Sequence, residues 1–118
     1  MRYYLSIMQH TMKLQSSPFN RIKEGKKNIE VRLYDEKRRE IKIGDVIEFK
    51  LEPEQVETVK VEVVGLLNYK TFANLASDFP ASAFGHTDTN DLIKSIFSFY
   101  TREQEEKYTV LGIKIKLI

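Results

Sequence analysis

Several segments of the chain alternate polar and apolar residues with a period of two, the pattern of β-strands with one buried face. The clearest alternating runs are residues 28–33, 46–52, 59–63 and 111–117. The segment 8–14 has a weaker form of the same pattern and is a further candidate strand. Gly44 and Asp45 form a turn signal just before the second clear run. The pattern therefore predicts a sheet of about five to six strands.

A helix is predicted before the first clear strand. Ser17 can cap it, and Pro18 suits the first helical position, where the missing amide hydrogen needs no partner. Gly25 supplies the left-handed conformation that commonly follows the last helical residue. A helix, a turn and a strand are thus expected to follow one another in this part of the chain.

Further helices are predicted between the third and last strands. Thr71 and Thr89 are candidate N-caps. After Thr89, four apolar residues repeat at helical spacing and form a stripe: Leu92, Ile93, Ile96 and Phe97. Thr101 and Gln104 have the spacing of a capping box. Residues 78–87 contain proline, glycine, serine, aspartate and threonine, a composition that indicates a loop.

The composition agrees with one compact α+β domain over residues 1–118, a small barrel-like sheet with helices at its openings. The chain is 42% hydrophobic and 31% charged, and no apolar run is long enough for a membrane span. It contains no cysteine, which excludes disulfides, thiolate catalysis and cysteine-ligated metals, and only two histidines. We therefore expect a cytoplasmic protein with no cofactor, no metal and no membrane partner.

The net charge of +2 hides an uneven distribution. Residues 21–42 carry nine basic and five acidic side chains, whereas residues 43–69 carry two basic and six acidic ones. A basic face concentrated in one segment attracts phosphate, although a solvated surface of mixed sign would have the same composition. Within this segment, Lys37, Arg38 and Arg39 are candidates for contacts with a phosphate backbone.

The most informative stretch is residues 25–32, Gly-Lys-Lys-Asn-Ile-Glu-Val-Arg. On the alternation, Glu30 and Arg32 share one strand face, while the apolar residues between them point into the core. Lys27 enters from the helix–strand turn and reaches the same polar face if the backbone bends there. An amine, a carboxylate and a guanidinium in one place suit a polar planar ligand or a phosphate, although they would also form an ordinary surface ion-pair network.

The same stretch resembles a known family. Gly25-x-Lys27-x-x-Glu30-x-Arg32 is similar to the G-x-K-x-x-E-x-R signature of ASCH domains, named for homology to a transcriptional activating signal cointegrator. Further similarity to bacterial stand-alone ASCH proteins lies in residues 10–14, 18–19, 22–23, 33–38, 43–45 and 100–108. The resemblance implies a PUA-like fold, a small β-barrel with helices packed at its openings. It also implies a cleft, lined by the signature, that binds RNA or a modified nucleoside or nucleotide.

Some ASCH domains hydrolyse the acetyl amide of N4-acetylcytidine with the signature lysine, a threonine and a glutamate. By position the lysine is Lys27, whereas Glu30 stands where those enzymes have threonine. The loop around Gly85–His86 offers no glutamate, and Asp78 and Asp88 are the nearest carboxylates. A lysine nucleophile must lose its proton, which a neighbouring carboxylate disfavours, although a carboxylate of raised pKa can act as a general base. For an enzyme, the resemblance implies Lys27 and Glu30 as the catalytic residues.

Four residues outside the signature are further candidates for the ligand-binding cleft. Tyr34 shares the parity of Glu30 and can stack on a base, and Lys13 can add positive charge. His10 lies in the weaker strand, and His86 lies in the loop, where it can close over a ligand as donor or proton shuttle. Each also has an ordinary alternative: packing for Tyr34, a core hydrogen bond for His10, and solvent exposure for the other two.

Two functions from different classes follow from these residues. The first is an RNA- or nucleotide-binding module in which Glu30 and Arg32 read a base edge and Lys27 contacts a phosphate or a carbonyl. The second is an amidohydrolase acting on N4-acetylcytidine or a related acylated nucleoside. A metal-independent ribonuclease that uses His10, His86 and Lys27, and a protein-interaction role, are further alternatives.

Overall fold

The structure, a computed structural model, describes residues 7–118. The strands within these residues are β1 (Gln9–Leu14), β2 (Ile29–Leu33), β3 (Val46–Leu51), β4 (Thr58–Tyr69) and β5 (Val110–Leu117). The α-helices in the same range are α1 (Ser16–Lys23), α2 (Phe72–Ser77), α3 (Thr89–Phe99) and α4 (Arg102–Tyr108). Two 3₁₀ helices span Arg38–Glu40 and Ala81–Phe84. Every strand predicted from the alternation is present, and the weaker segment is β1.

The five strands of residues 7–118 form one sheet in the order β1-β3-β4-β5-β2. Strand β1 runs parallel to β3, and the other neighbouring pairs are antiparallel. The register between β4 and β5 shifts between Val63 and Gly65, an irregularity of the kind that increases local twist. The sheet curls into a half-barrel with β1 and β2 at its edges. This confirms the predicted α+β class and the small barrel-like architecture.

Two separate apolar cores cover the two faces of the sheet. The first, the α1 core, contains Met12, Leu14, Phe19, Ile22, Ile41, Ile47, Phe49, Val61, Val63, Leu111, Ile113 and Ile115. The second, the α2–α3 core, contains Ile29, Leu33, Phe72, Leu75, Ala76, Phe84, Leu92, Ile96 and Val110. Because helices pack on both faces, a strand of this sheet can bury residues of both parities.

Strand β2 is buried on both faces, which corrects the prediction of a single buried face. Ile29 enters the α2–α3 core, as the alternation predicted. Glu30 pairs directly with Ile113 of β5, which belongs to the α1 core. Arg32 pairs in the same way with Leu111, so both charged side chains lie on the face of the α1 core. Glu30 is only 3% exposed, and the polar side of β2 is therefore not an open surface.

The helix boundaries follow the predicted signals, with small shifts at two N-termini. Thr71 caps α2, and Thr101 opens α4 with the predicted capping box. The cap of α3 is Asp88 rather than Thr89, because the Asp88 carboxylate accepts from the backbone amide three residues on. Helix α1 begins before Ser17, so this serine does not cap it. No helix within residues 7–118 is long and apolar enough to cross a lipid bilayer.

The segment predicted as a loop, residues 78–87, contains the 3₁₀ helix Ala81–Phe84. Phe84 is buried in the α2–α3 core. The carbonyl oxygen of Ala83 accepts a hydrogen bond of 2.9 Å from the backbone amide of Asn28. The segment is therefore anchored beside the start of β2, where it forms one wall of the site described next.

Candidate functional site

A carboxylate and two cations meet at strand β2. Oε1 of Glu30 lies 2.7 Å from Nζ of Lys27, and Oε2 lies 2.8 Å from Nη2 and 2.9 Å from Nε of Arg32. The side chains of Lys27, Arg32 and Glu30 are 10%, 14% and 4% exposed. These three residues form one buried cluster, called the triad below.

The turn between α1 and β2 aims Lys27 at the Glu30 carboxylate. Gly25 follows the helix with φ +76°, the left-handed conformation predicted for it. The backbone amides of Lys26 and Lys27 both donate to the carbonyl oxygen of Arg21, at 2.8 and 3.1 Å. This tight turn is the bend that the alternation alone left open, and it brings Lys27 to the face occupied by Glu30.

Gly85, in the 78–87 segment, packs against the aliphatic part of the Lys27 side chain. A Cβ atom at Gly85 would lie 3.3 Å from Cβ and Cδ of Lys27 and 3.0 Å from Cδ of Arg21. The backbone of the 78–87 segment therefore packs directly on two cationic side chains. A Cβ atom at position 85 would displace these side chains by a few tenths of an ångström, so the position of the Lys27 amine depends on the residue there.

Arg32 connects the two edges of the sheet. Besides its contacts with Glu30, its Nη2 atom donates to the carbonyl oxygen of Lys13 in β1 at 3.2 Å. Strands β1 and β2 are the first and last in the sheet order, so this hydrogen bond spans the opening between the edges. Tyr100, which follows α3, lines the same opening.

The charges of the triad keep Glu30 ionised. Burial by itself would raise the pKa of Glu30, but Lys27 and Arg32 outweigh burial through charge and hydrogen bonds and lower the pKa to about 2. Burial would likewise lower the pKa of Arg32, and the Glu30 carboxylate raises it instead. Burial raises the pKa of Tyr100, so its hydroxyl stays protonated at neutral pH. The triad therefore holds two cations around one carboxylate.

The triad forms the floor of a cavity of about 480 Å³. The charged lining residues outside the triad are Lys13, Arg21, Glu52 and Asp91. Lys13, Glu52 and Asp91 are exposed and lie toward the rim, whereas Arg21 is half-buried like the two cations of the triad. The apolar part of the lining includes Phe84, Leu92, Ile96 and Phe99. The site thus combines a charged floor with an apolar wall built by α3 and the segment before it.

Two further predicted residues, Lys13 and His86, line the cavity. Lys13 is exposed in β1, near the end of the strand. Nδ1 of His86 lies 2.8 Å from Oδ2 of Asp91 on α3, and this contact holds the imidazole at the rim. Within residues 7–118 no three side chains of the metal-ligating types come together, so the His86–Asp91 pair is not part of a metal centre of such residues.

The other two predicted residues lie away from the cavity lining. His10 is buried in β1, where its Nε2 atom is 2.8 Å from Oδ2 of the buried Asp45. Tyr34 packs against the α1 core, and the guanidinium of Arg39 lies over its ring at 4.2 Å from the centroid. His10 therefore makes a buried hydrogen bond and Tyr34 packs in the fold, the two structural roles that the sequence offered as alternatives to ligand binding.

The basic run of residues 37–39 also lies outside the cavity. Nη1 of Arg38 donates to the Asp35 carboxylate at 3.1 Å, while its buried Nε atom has no hydrogen-bond partner. Nε of Arg39 donates to the carbonyl oxygen of Tyr34 at 3.1 Å. Two of the three basic side chains are thus engaged in local structure.

Among the lining residues that were not predicted from the sequence are Arg21, Phe99 and Tyr100. Phe99 is 61% exposed at the end of α3 and follows Asp91 and Ser95 along one side of the helix. Phe99 follows Leu92 and Ile96 at helical spacing, so this continuation of the predicted apolar stripe was the available signal. Arg21 and Tyr100 carry no comparable signal.

Solved structures similar to this chain share its architecture. A crystal structure titled hypothetical protein PH0355 has a TM-score of 0.83 and 39% identity, covering 94% of this chain and 100% of that one. The solution NMR structure of protein PF0455 from Pyrococcus furiosus has a TM-score of 0.75 and 37% identity, covering 94% and 98%. A crystal structure of a mutant of ZmASCH from Zymomonas mobilis has a TM-score of 0.60 and 12% identity, covering 92% and 67%.

The likeness to ZmASCH is one of fold, and it agrees with the PUA-like barrel that the sequence resemblance implied. No curated protein matches the chain significantly. The family model of the ASCH domain matches residues 12–118, a range that includes the triad and the cavity lining. The chain therefore belongs to the ASCH domain family.

Proposed function

We propose that this ASCH domain binds RNA or a nucleotide in the cavity above the triad. The observation that carries the proposal is the buried cluster of Lys27, Glu30 and Arg32 on the floor of a cavity of about 480 Å³. That volume falls within the range of small-molecule sites, about 300 to 1,000 Å³. The association of ASCH domains with nucleic acids supports a nucleotide as the ligand class.

The roles within the triad differ from those predicted from the sequence. Both oxygens of Glu30 already accept hydrogen bonds from Lys27 and Arg32, so we assign Glu30 the positioning of the two cations. The two cations then act as donors toward the ligand. At the rim, Lys13 and His86 are placed to make further polar contacts.

The α3 wall supplies a surface for a base. Leu92 and Ile96 are buried beside the cavity, and Phe99 projects an exposed ring at its mouth. Exposed aromatic side chains in RNA-binding proteins stack on unpaired bases. We propose that the ring of Phe99 takes this role.

The contacts of the triad argue against the amidohydrolase alternative. Nζ of Lys27 lies 2.7 Å from the Glu30 carboxylate, and this contact occupies the amine that an attack on an amide would need free. Glu30, with a pKa of about 2, is too weak a base to activate water near neutral pH. Asp78 bonds the Tyr69 hydroxyl and Asp88 caps α3, and neither lines the cavity. Acetate release from N4-acetylcytidine by the wild type, abolished in Lys27→Ala, would favour the hydrolase instead.

The proposal takes residues 1–118 as a single ASCH domain. It takes the protein to be bacterial and cytoplasmic, as the sequence similarity and composition predict. A ribonuclease that relies on His10, His86 and Lys27 is disfavoured, because His10 pairs with Asp45 outside the cavity lining.

The test is a calorimetric titration with short RNAs and with nucleotides at several salt concentrations. The double variant Lys27→Ala/Arg32→Ala removes both floor cations, and we expect affinity to fall at least about tenfold and the salt dependence to flatten. The control variant Lys60→Ala/Arg102→Ala removes the same charge at exposed positions outside the lining and should bind like the wild type. Unchanged affinity in the triad variant would show that the site lies elsewhere.

A further inference from the structure

The positive charge of the cavity is concentrated on its floor. Lys27 and Arg32 share a single carboxylate, Glu30, so the triad keeps one positive charge that no member of it balances. The three side chains are at most 14% exposed, and water therefore screens this charge poorly. A buried charge is favourable only when an opposite charge is within reach, so the floor favours an anionic group of the ligand.

The hydrogen-bonding groups of the floor lead to the same ligand chemistry. Nε of Arg32 donates to Glu30, and Nη2 of Arg32 donates both to Glu30 and to the Lys13 carbonyl oxygen. Lys27 donates one N–H group to Glu30. Nζ of Lys27 keeps further N–H groups, and the guanidinium of Arg32, which also hydrogen-bonds with Tyr100, has donors alone. Several donors around one point match the oxygens of a phosphate better than a base edge that also carries N–H groups.

The rim has no comparable excess of positive charge. The exposed charges of the lining are those of Lys13, Glu52 and Asp91, one cation against two carboxylates. An RNA strand crossing the rim would bring one phosphate per nucleotide past these two carboxylates. These exposed charges do not sum to a positive charge, so they give an extended backbone little attraction. The charge pattern thus favours a phosphate that enters the cavity over one that passes across it.

We propose, building on the proposed function, that the ligand presents a phosphomonoester to the triad. A nucleoside monophosphate and the phosphorylated end of an RNA both carry this group. The phosphate oxygens accept from Lys27 and Arg32, and the base lies toward Phe99 at the mouth. A phosphomonoester carries about −1.5 to −2 charges at neutral pH, more than a phosphodiester, so the one unbalanced positive charge of the triad attracts it more strongly.

The first test compares nucleoside 5′- and 3′-monophosphates with the unphosphorylated nucleosides by calorimetry. We expect at least one monophosphate to bind the wild type about tenfold or more tightly than its nucleoside, and inorganic phosphate to compete with it. The advantage should fall below about twofold in Lys27→Ala and persist in the exposed-site control Lys60→Ala.

A second measurement needs no variant that might misfold. Inorganic phosphate added to isotope-labelled wild type should shift the NMR signal of the Arg32 Nε–H group. The NMR signal of the Nε–H group of Arg39, an exposed residue outside the cavity, should not shift. Equal shifts of the two signals, or none at Arg32, would overturn the assignment of the floor to phosphate.

Short RNAs with a terminal phosphate, and the same RNAs with hydroxyl groups at both ends, separate the two sources of the phosphomonoester. Tighter binding of phosphorylated RNA than of the mononucleotide would identify the end of an RNA strand as the ligand. The reverse order would identify a free nucleotide as the ligand. If nucleoside and monophosphate bind equally and both depend on Lys27, this inference fails while the proposed function stands. If no RNA, nucleoside or nucleotide binds in a Lys27-dependent way, both fail.

Discussion

Nη2 of Arg32 donates to the carbonyl oxygen of Lys13 at 3.2 Å, and this hydrogen bond joins the two edge strands of the sheet. The backbone of β1 pairs with β3, and that of β2 pairs with β5. A side chain thus makes a connection across the opening that no strand pairing within residues 7–118 makes. Because the same guanidinium holds Glu30, the edge contact and the cavity floor depend on one residue.

Replacing Arg32 with lysine should therefore weaken both features. Lysine keeps the charge, but its compact amine cannot bond Glu30 through two nitrogens and also reach Lys13. We expect the free energy of unfolding to fall by about 1.5–3 kcal/mol in urea denaturation, the range for hydrogen bonds to charged groups. Arg39→Lys loses one exposed hydrogen bond to the Tyr34 carbonyl and a ring contact, and it should cost about 1 kcal/mol or less. Equal losses in the two variants would contradict the role of Arg32.

Glu30 should make the stability of the protein sensitive to acid. Its pKa lies at about 2 in the folded state, below the ordinary value of 4.5, so the folded state binds this proton less readily than the unfolded state. The stabilisation is fully present above about pH 4.5 and is lost as the pH falls toward 2. The difference between the two pKa values corresponds to about 3 kcal/mol. Urea denaturation from pH 2 to 7 measures it.

Glu30→Gln should remove this acid-sensitive contribution and destabilise the protein at neutral pH by about 3–5 kcal/mol, because it leaves two buried cations unpaired. Glu57→Gln is a matched control. Glu57 lies 2.7 Å from Nζ of Lys23, the same distance as in the buried pair, but its side chain is 49% exposed. Glu57→Gln should lower the free energy of unfolding by no more than about 1 kcal/mol. A similar decrease in both variants would show that burial does not strengthen the Glu30 contacts.

Gly85→Ala should disturb the cavity more than a backbone effect explains. The φ of +82° disfavours any residue with a Cβ atom, and that atom would also press on Lys27 and Arg21. Gly44 has φ +95°, and a Cβ atom there would meet no other atom within 4 Å, so Gly44→Ala isolates the backbone cost of about 1 kcal/mol. We expect Gly85→Ala to lose more stability than Gly44→Ala and, unlike it, to lower nucleotide affinity. Identical effects of the two substitutions would contradict the role of Gly85 in positioning Lys27.

Phe99 should contribute to binding and not to folding. Its ring is 61% exposed, so Phe99→Ser should change the free energy of unfolding by less than about 0.5 kcal/mol. Base stacking is worth about 1–3 kcal/mol, so the same variant should lower affinity for a nucleotide by about fivefold or more. Phe99→Tyr keeps a ring and should restore binding in the same titration. An unchanged affinity in Phe99→Ser would remove this residue from the site.

Asp45 should matter for stability alone. It accepts hydrogen bonds from His10 Nε2 at 2.8 Å and from the backbone amides of Lys42 and Met8 at 3.0 and 3.2 Å. Burial would raise the pKa of Asp45, but these contacts lower it, so its contribution is present above the ordinary pKa and is lost in acid. Asp45→Ala should cost about 2–4 kcal/mol in urea denaturation and leave nucleotide affinity unchanged. Reduced affinity in a folded variant would place this pair in the binding site.

Much of the fold could be predicted because its signals are local. The alternating runs became strands, and Thr71 and the Thr101 capping box mark helix starts where the spacing placed them. The convergence of Lys27 with Glu30 and Arg32 is local as well. A period of two and one tight turn bring three side chains within six residues to the same point, and contacts with Gly85 and Lys13 then hold two of them there.

The environment of those side chains was decided by tertiary structure. Alternation distinguishes the two faces of β2 but does not say whether a second core will cover the polar one, and here Glu30 is buried on the face of the α1 core. His10 and Lys13 lie in the same strand, but His10 pairs with Asp45 whereas Lys13 lines the cavity. Phe99 reaches the same cavity from more than sixty residues after β2. Contacts between distant segments depend on how the sheet curls and the helices pack, and periodicity along the chain carries no information about either.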